Sequence, residues 1–334
     1  MKTAKISIVG FGSIGAGLAT EMARKKDFLR GKGYDLRVVS IVDADGAEID
    51  EDGLNIKSII EKKERGKAFS YDKSALDLIG EIDQDILVEC TPSNIRDGNP
   101  GLNHILTSLK NRVNVVTSNK GPLVVAYKRI METAKKNNVS IGYEATVGGA
   151  IPLINLVKSN LRADDIVAVK GILNGTCNYI LTKMHVEKRD YEEILLEAKE
   201  IGIAETDASY DVEGIDTASK LVILANSLMG MDVKYEDVEV EGITRITPES
   251  LDLADELGCT IKLIGEVERE GKRLKVSPKL VPYDHPISVG GTLNIVLIKT
   301  DVAGEVTISG KGAGPKETSS ALLSDILNIV DERC

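Results

Sequence analysis

The chain has 334 residues, 42% of them hydrophobic and 4% aromatic, with no tryptophan and a formal net charge of −10. That length allows two domains with ample buried core, and the acidic, aromatic-poor composition argues against nucleic-acid or anionic-membrane partners. No stretch approaches about 20 uninterrupted apolar residues and the start runs straight into a strand, so neither a membrane span nor a signal peptide is expected and the chain reads as cytoplasmic.

Residues 5–9 are a short strand-like run that ends in Gly10-Phe11-Gly12-Ser13-Ile14-Gly15. The pattern G-x-G-x-x-G, after a strand and before a helical pattern (Leu18, Ala19, Met22, Ala23), suits a pyrophosphate seated on a helix N-terminus. Residues 36–42 read as the second strand, closed by Asp43, which stands where an acid accepts hydrogen bonds from an adenosine ribose. That acid favours NAD, whereas Lys57, Lys62 and Lys63 could neutralise the extra phosphate of NADP if their segment folds back. Strand 85–89 leads to Cys90-Thr91-Pro92-Ser93-Asn94, either a wall beside a nicotinamide ribose or a simple capped turn. Strand 113–116 is followed by Thr117-Ser118-Asn119-Lys120. Ligands of open α/β sheets bind at such strand ends, which singles out Lys120 among the lysines. Strand 139–143 ends in Glu144-Ala145-Thr146-Val147-Gly148-Gly149-Ala150-Ile151-Pro152.

The pattern then changes. Strand 166–170 runs into Gly171-Ile172-Leu173-Asn174-Gly175-Thr176-Cys177-Asn178-Tyr179-Ile180, where Gly175 and Thr176 open a helix suited to receiving a carboxylate. Residues 191–202 form an amphipathic helix. The stretch 205–220 carries Glu205, Asp207, Asp211, Glu213, Asp216 and Lys220 and opens an apolar helix marked by Ala218, Leu221, Val222, Ala225 and Leu228. Asp216 and Lys220 lie one turn apart. A solvated ion pair is the ordinary reading of such a pair; the alternative is a pocket for a small cationic substrate with Lys220 as proton donor. A helix at 251–258, three strand-like runs at 260–268, 273–280 and 291–300, and a short strand at 306–309 follow. A glycine turn at 310–315 then precedes a final helix to about Val330, and its late position suggests a return to the cofactor cleft. The fold class expected is α/β: a Rossmann-type dinucleotide-binding domain (1–143), an α+β substrate and dimerisation domain with a mixed sheet (144–304), and a returning segment (305–334).

Taken together, Thr117 to Lys120, Tyr143 to Pro152, Gly171 to Ile180, the 205–220 stretch and Gly312-Ala313-Gly314 resemble homoserine dehydrogenase, over nearly the whole chain. The resemblance implies an NAD(P)-dependent oxidoreductase that interconverts L-homoserine and L-aspartate 4-semialdehyde, reversibly, on the route to threonine, methionine and isoleucine, and that forms a homodimer through the substrate domain. It implies that Gly10, Phe11, Gly12, Ser13, Ile14 and Gly15 hold the dinucleotide, with Thr91, Ser93 and Gly314 helping. Lys120 then lies between nicotinamide and substrate, while Thr176, Glu205, Asp211 and Asp216 surround homoserine. Lys220 carries the proton, with Asp216 beside it. A structural sodium ion is implied at Glu144 and the carbonyls of Val147, Gly149 and Ile151. Many relatives carry proline where this chain has Ser209 or its neighbour. No C-terminal regulatory domain and no preceding aspartate kinase domain are read, so inhibition by threonine is not expected.

Oxidation requires the hydroxyl proton to leave as hydride departs. A lysine of ordinary pKa near 10.4 is a poor base at neutral pH and a good acid in reverse, so oxidation should favour alkaline pH. The substrate ammonium needs anions, supplied by Glu205 with Asp211 or Asp216. Its carboxylate needs donors, supplied by Thr176, nearby helix-terminal N–H groups and Lys120. One rival reading is a non-catalytic NAD(P)-sensing module, in which Asp216 and Lys220 are a surface pair. Another is a semialdehyde or amino-alcohol dehydrogenase of similar build; a phosphorylating one needs an activated cysteine such as Cys177. The four cysteines (Cys90, Cys177, Cys259, Cys334) and three histidines (His104, His185, His285) show no metal-ligand spacing. Cys334 is a candidate for a link between two chains.

Overall fold

The computed structural model describes residues 1–67 and 69–332, so Cys334 and any link through it lie outside the described residues. β1 (Lys2–Val9) sends alternate side chains to two covered faces: Ala4, Ile6 and Ile8 enter one core cluster, Val9 another. Burial on both faces is the condition under which a parallel sheet reads as a near-continuous apolar run. Chain order continues with α1 (Ser13–Arg24), α2 (Lys26–Gly31), β2 (Tyr34–Asp43), β3 (Gly46–Ile49), α3 (Ile56–Glu64) and α4 (Ala75–Ile79). It then runs through β4 (Ile86–Glu89), α5 (Gly101–Lys110), β5 (Asn114–Thr117), α6 (Lys120–Asn137) and β6 (Ile141–Gly142). The first sheet has the order β3-β2-β1-β4-β5-β6, parallel except for the β2–β3 hairpin. Strand order reverses between β1 and β4, so the loops after these two strands flank the crevice where such sheets bind ligands.

The second set begins with α7 (Leu153–Asn160), β7 (Ile166–Ile172), α8 (Gly175–Glu187), α9 (Tyr191–Glu200), α10 (Ser209–Val212) and α11 (Ile215–Met229). It ends with β8 (Val238–Val240), α12 (Pro248–Glu256), β9 (Cys259–Glu268), β10 (Arg273–Pro282), β11 (Leu293–Thr300) and β12 (Glu305–Lys311). Its sheet, β12-β11-β7-β9-β10-β8, is antiparallel apart from the parallel β8–β10 pair, which makes it mixed. Ile172, Ile264, Val281, Ile287, Ile295 and Leu297 form one of its core clusters.

The chain divides into two compact units, Ala150–Ala313 and the remainder, with α13 (Pro315–Glu332) belonging to the first sheet's unit. Residues 305–311, read from sequence as part of the returning segment, pair with β11 as the edge strand β12, and the chain re-enters the first unit only at Gly314. α13 places Leu322, Leu323, Ile326, Ile329 and Val330 in the same cluster as Ile6, Ile8, Leu18 and Met22. Among the described residues, no helix is long and apolar enough to cross a membrane.

Candidate active site

In the first unit, Gly10 has a positive φ of 87°, and a Cβ there would lie 2.7 Å from backbone atoms of Cys90 and Thr91. The loop after β1 therefore presses directly on the loop after β4. A Cβ on Gly15 would run into the Gly10 carbonyl oxygen, whereas one on Gly12 would meet open space. Gly12 caps α1 with no side-chain hydrogen bond, which leaves the first N–H groups of that helix for an anion. Together the glycines form a cradle that suits a dinucleotide pyrophosphate, with Ser13 and Ile14 in the first turn of α1. The Phe11 ring is fully buried, edge to face with Phe69 at 6.3 Å between centroids, so Phe11 can offer a ligand its backbone and not its ring.

Asp43 closes β2 as the pattern requires, and the three lysines that follow separate. Lys63 folds back, donating to Asp43 Oδ2 and to the Phe11 carbonyl, with its ammonium over the Phe11 ring. Lys62 donates instead to Glu48 and Ser70, and Lys57 is exposed on α3. Burial works to raise the Asp43 pKa, but Lys63 and backbone N–H groups of Ala44 and Phe11 outweigh it, so the carboxyl sits below its ordinary value.

The loops after β4 and β5 interlock. Asn119, the N-cap of α6, donates through Nδ2 to Thr91 Oγ1 (3.2 Å) and accepts from the Gly121 N–H (3.1 Å). The Gly121 N–H also donates to Ser93 Oγ (2.9 Å). Thr91, Ser93 and Lys120, chosen separately from sequence, thus stand on one hydrogen-bonded platform. Gly314 lies just ahead of α13 with φ of 127°, a conformation suited to glycine. Glu144 and Val147 are buried, and the Glu144 N–H donates to Asp325 Oδ2 of α13 (2.9 Å).

In the second unit, α11 buries nearly every residue, including Asp216 and Lys220, which are 5% and 6% exposed. The ordinary expectation of a solvated ion pair does not hold, because both charges sit at the buried start of an apolar helix. Lys220 Nζ lies 2.7 Å from Asp216 Oδ2 and donates to the Leu173 carbonyl at 2.6 Å. Asn174, the N-cap of α8, binds the acids together: its Nδ2 donates to Asp211 Oδ1 (2.7 Å) and Asp216 Oδ2 (2.9 Å), while its Oδ1 accepts from the Cys177 N–H (2.8 Å). Burial, and after it the Asp216 charge, push the Asp211 pKa up. A ligand ammonium would relieve that strain by supplying the missing countercharge. Thr176, in the first turn of α8, donates to the Ile203 carbonyl (3.2 Å).

Glu205 is exposed and takes no part in this hydrogen-bonded group, and Ile151 is buried elsewhere in the unit. Asn174 and Asn119 were overlooked in the sequence. The signal available was position, since each is a polar residue immediately before a helix that follows a strand. Cys177 is fully buried and donates to the Asp211 carbonyl, and burial followed by the nearby acids pushes its thiol well up. That is the opposite of an activated thiolate. Among the described residues no cluster of three or more His, Cys, Asp or Glu could hold a metal.

Comparison with known proteins agrees across both units. Residues 10–144 match the family model of the homoserine dehydrogenase NAD binding domain, and residues 152–327 match that of homoserine dehydrogenase. A curated homoserine dehydrogenase from Methanocaldococcus jannaschii is 53% identical, over 97% of this chain and 98% of its own. The crystal structure of a protein assigned as a homoserine dehydrogenase from Archaeoglobus fulgidus superposes with a TM-score of 0.92 at 46% identity, covering 98% of this chain and 99% of that one. A hyperthermophilic archaeal homoserine dehydrogenase in complex with NADPH gives a TM-score of 0.85 at 30% identity, covering 99% and 98%.

Proposed function

The chain belongs to the homoserine dehydrogenase family, and from that premise we propose that its reaction runs on Lys220, Asp216 and Lys120. The reaction is the reversible, NAD(P)-dependent interconversion of L-homoserine and L-aspartate 4-semialdehyde, a step of amino-acid biosynthesis. A dinucleotide held by the first unit would supply the nicotinamide as hydride acceptor for the carbinol carbon. Lys220 takes up the hydroxyl proton in that direction and returns it to the carbonyl oxygen in reduction. Asp216 and the Leu173 carbonyl hold the Lys220 ammonium at its site, so one further N–H remains to meet substrate oxygen. Asp211 and Asp216, joined by Asn174, receive the substrate ammonium. Thr176 and the first N–H groups of α8 receive its carboxylate. Hydrogen-bonding both ends rejects plain alcohols, because an empty subsite would leave buried polar groups unpaired.

The dinucleotide is held by the Gly10, Gly12 and Gly15 cradle with Phe11, Ser13 and Ile14, by Asp43 at the ribose, and by Thr91, Ser93 and Gly314. Glu205, exposed in the loop ahead of α10, meets the substrate ammonium once substrate is bound. A structural sodium ion at Glu144 with the carbonyls of Val147, Gly149 and Ile151 is supported by the burial of Glu144. Replacing sodium by choline should then lower thermal stability. A homodimer through the second unit is supported by apolar side chains its strands expose, Val167, Leu280 and Leu293, and sedimentation should return about twice the 36.0 kDa of one chain.

The observation that carries the mechanism is the buried Lys220, tied at once to Asp216 and to a backbone carbonyl. Its test is the reduction of NAD⁺ and NADP⁺ by L-homoserine at about pH 9 in the native protein and in Lys220→Gln, which keeps most of the side-chain volume. Turnover should fall by about 10²-fold or more while NADH or NADPH binding is retained. A Lys220→Gln protein with native turnover would remove Lys220 from the chemistry.

A further inference from the structure

Beneath the platform that carries Thr91 and Lys120 lies a group the reaction scheme leaves unused. Glu89 is the last residue of β4 and is fully buried. One carboxyl oxygen accepts from both the backbone N–H of Thr91 (2.7 Å) and the Thr91 hydroxyl. The other faces Nδ1 of His104, itself buried on the first turn of α5, at 3.4 Å. Burying a carboxyl group costs several kcal/mol in general unless its oxygens are satisfied, so a chain does not place one in its interior without consequence.

Because the Thr91 hydroxyl spends its single hydrogen on Glu89, its oxygen is left to accept. The donor it receives is Asn119 Nδ2, and Asn119 caps α6, whose first residue is Lys120. The spatial convergence has a second sign in Gly101, the first residue of α5. A Cβ there would lie 2.5 Å from Asn119 Nδ2 and 3.2 Å from Glu89 Oε2, so the lack of a side chain lets α5, Glu89 and Asn119 meet at one point. The β4 and β5 loops also share the Glu89 backbone, whose carbonyl accepts from Thr117 Oγ1 (3.0 Å) and the Ser118 N–H (3.2 Å).

We propose that Glu89 is a positioning residue of the dehydrogenase reaction: by fixing the direction of the Thr91 hydroxyl it sets Asn119, and through Asn119 the start of α6 that presents Lys120 to the nicotinamide side of the site. The proposal rests on the reading of Thr91 and Lys120 as cofactor-side residues. A group that positions only the nicotinamide half has a signature that a general packing role lacks. Binding of the whole dinucleotide should depend on it, and binding of the adenosine half should not.

The experiment compares Glu89→Leu, which has no acceptor, with Glu89→Gln, whose amide oxygen can still accept from Thr91. Dissociation constants are measured for NADH, NADPH and ADP-ribose, together with kcat and KM for homoserine oxidation. Glu89→Leu should weaken the preferred dinucleotide and lower kcat by about tenfold or more, with ADP-ribose affinity unchanged, and Glu89→Gln should recover most of both. If Glu89→Leu does not fold, Asn119→Ala cuts the same relay at its last link and should show the same split between dinucleotide and ADP-ribose. Equal weakening of dinucleotide and ADP-ribose, or no effect on either, overturns the proposal. Lys120→Ala, measured alongside, separates the two levels. If it leaves kcat and dinucleotide affinity intact, the cofactor-side reading of Lys120 fails and the proposal with it. If it is impaired while the Glu89 and Asn119 variants are native, only the relay fails.

Discussion

Lys262 shows how far one residue's environment can depart from what its letter suggests. It lies on β9, 3% exposed, with its ammonium donating to Asn178 Oδ1 and Thr182 Oγ1 of α8, both at 3.0 Å. Neither partner carries charge, and burial brings its pKa down from 10.5 to about 8. Between those two values the unfolded chain holds a proton that the folded chain has released, so this residue makes stability rise with pH across that window. Below about pH 8 both states are protonated and the full penalty of the buried charge is present. The difference between about 8 and 10.5 corresponds to roughly 3 kcal/mol. Lys262→Met should therefore gain on the native protein near pH 7.5 and lose that advantage by pH 10 in denaturant titrations. A constant difference between the two proteins over that range would show that Lys262 does not titrate as described. Asn174 makes the complementary point: a neutral amide with two donors serves two acidic partners, which no count of charges in the 205–220 stretch reveals.

At the scale of elements, turns were legible and caps largely were not. The glycine loop that opens α1 stands out in the sequence, whereas Asn119 opening α6 and Asn174 opening α8, each shortly after a strand, emerged only from the structure. The Rossmann-type order and the mixed character of the second sheet follow the expected pattern of strands. Boundaries shifted where short-range chemistry was missed. α12 starts at Pro248 and not at Leu251, because Thr247 caps it with Pro248 in the first turn. The strand expected at 139–143 shrinks to Ile141–Gly142, since the following residues turn into a short 3₁₀ helix at Glu144–Thr146. β3 went unread because four residues after a tight turn carry too little periodicity. Gly15→Ala belongs to this scale. The added methyl meets the Gly10 carbonyl, so α1 must move off β1. The expected result is a loss of about 1–3 kcal/mol in unfolding free energy together with at least tenfold weaker NADH or NADPH binding, read by calorimetry. Native affinity in this variant would mean the cradle tolerates a wider loop.

At the scale of the molecule, the first sheet's unit is completed by a segment that follows the whole second unit in sequence. Leu322, Ile326, Ile329 and Val330 fill the cluster around Ile6, Ile8 and Leu18, and Asp325 accepts the Glu144 N–H. Each such side chain contributes roughly 1.5–3 kcal/mol by burial, so their joint loss approaches the 5–15 kcal/mol typical of a whole domain. A chain stopped after residue 313 should therefore bind neither NADH nor NADPH and show no cooperative transition for that unit. Native cofactor affinity in the shortened chain would refute this account of α13.

What the sequence determined by itself was local or repeated. The glycine spacing after β1, the polar turns closing β4 and β5, and the carboxylates ahead of an apolar helix depend on neighbours within a few residues, and their order along the chain identified the family. Tertiary structure decided the rest, because it depends on residues far apart in sequence arriving at one place. Lys63 and not Lys57 reaches Asp43, as only the packing of α3 determines which side of that helix faces β2. Asp216 and Lys220 are buried because α11 is covered by other elements of its unit, something an i,i+4 spacing does not encode. Glu89 matters through Asn119, 30 residues on, a connection made by two adjacent parallel strands whose ends the sheet brings side by side.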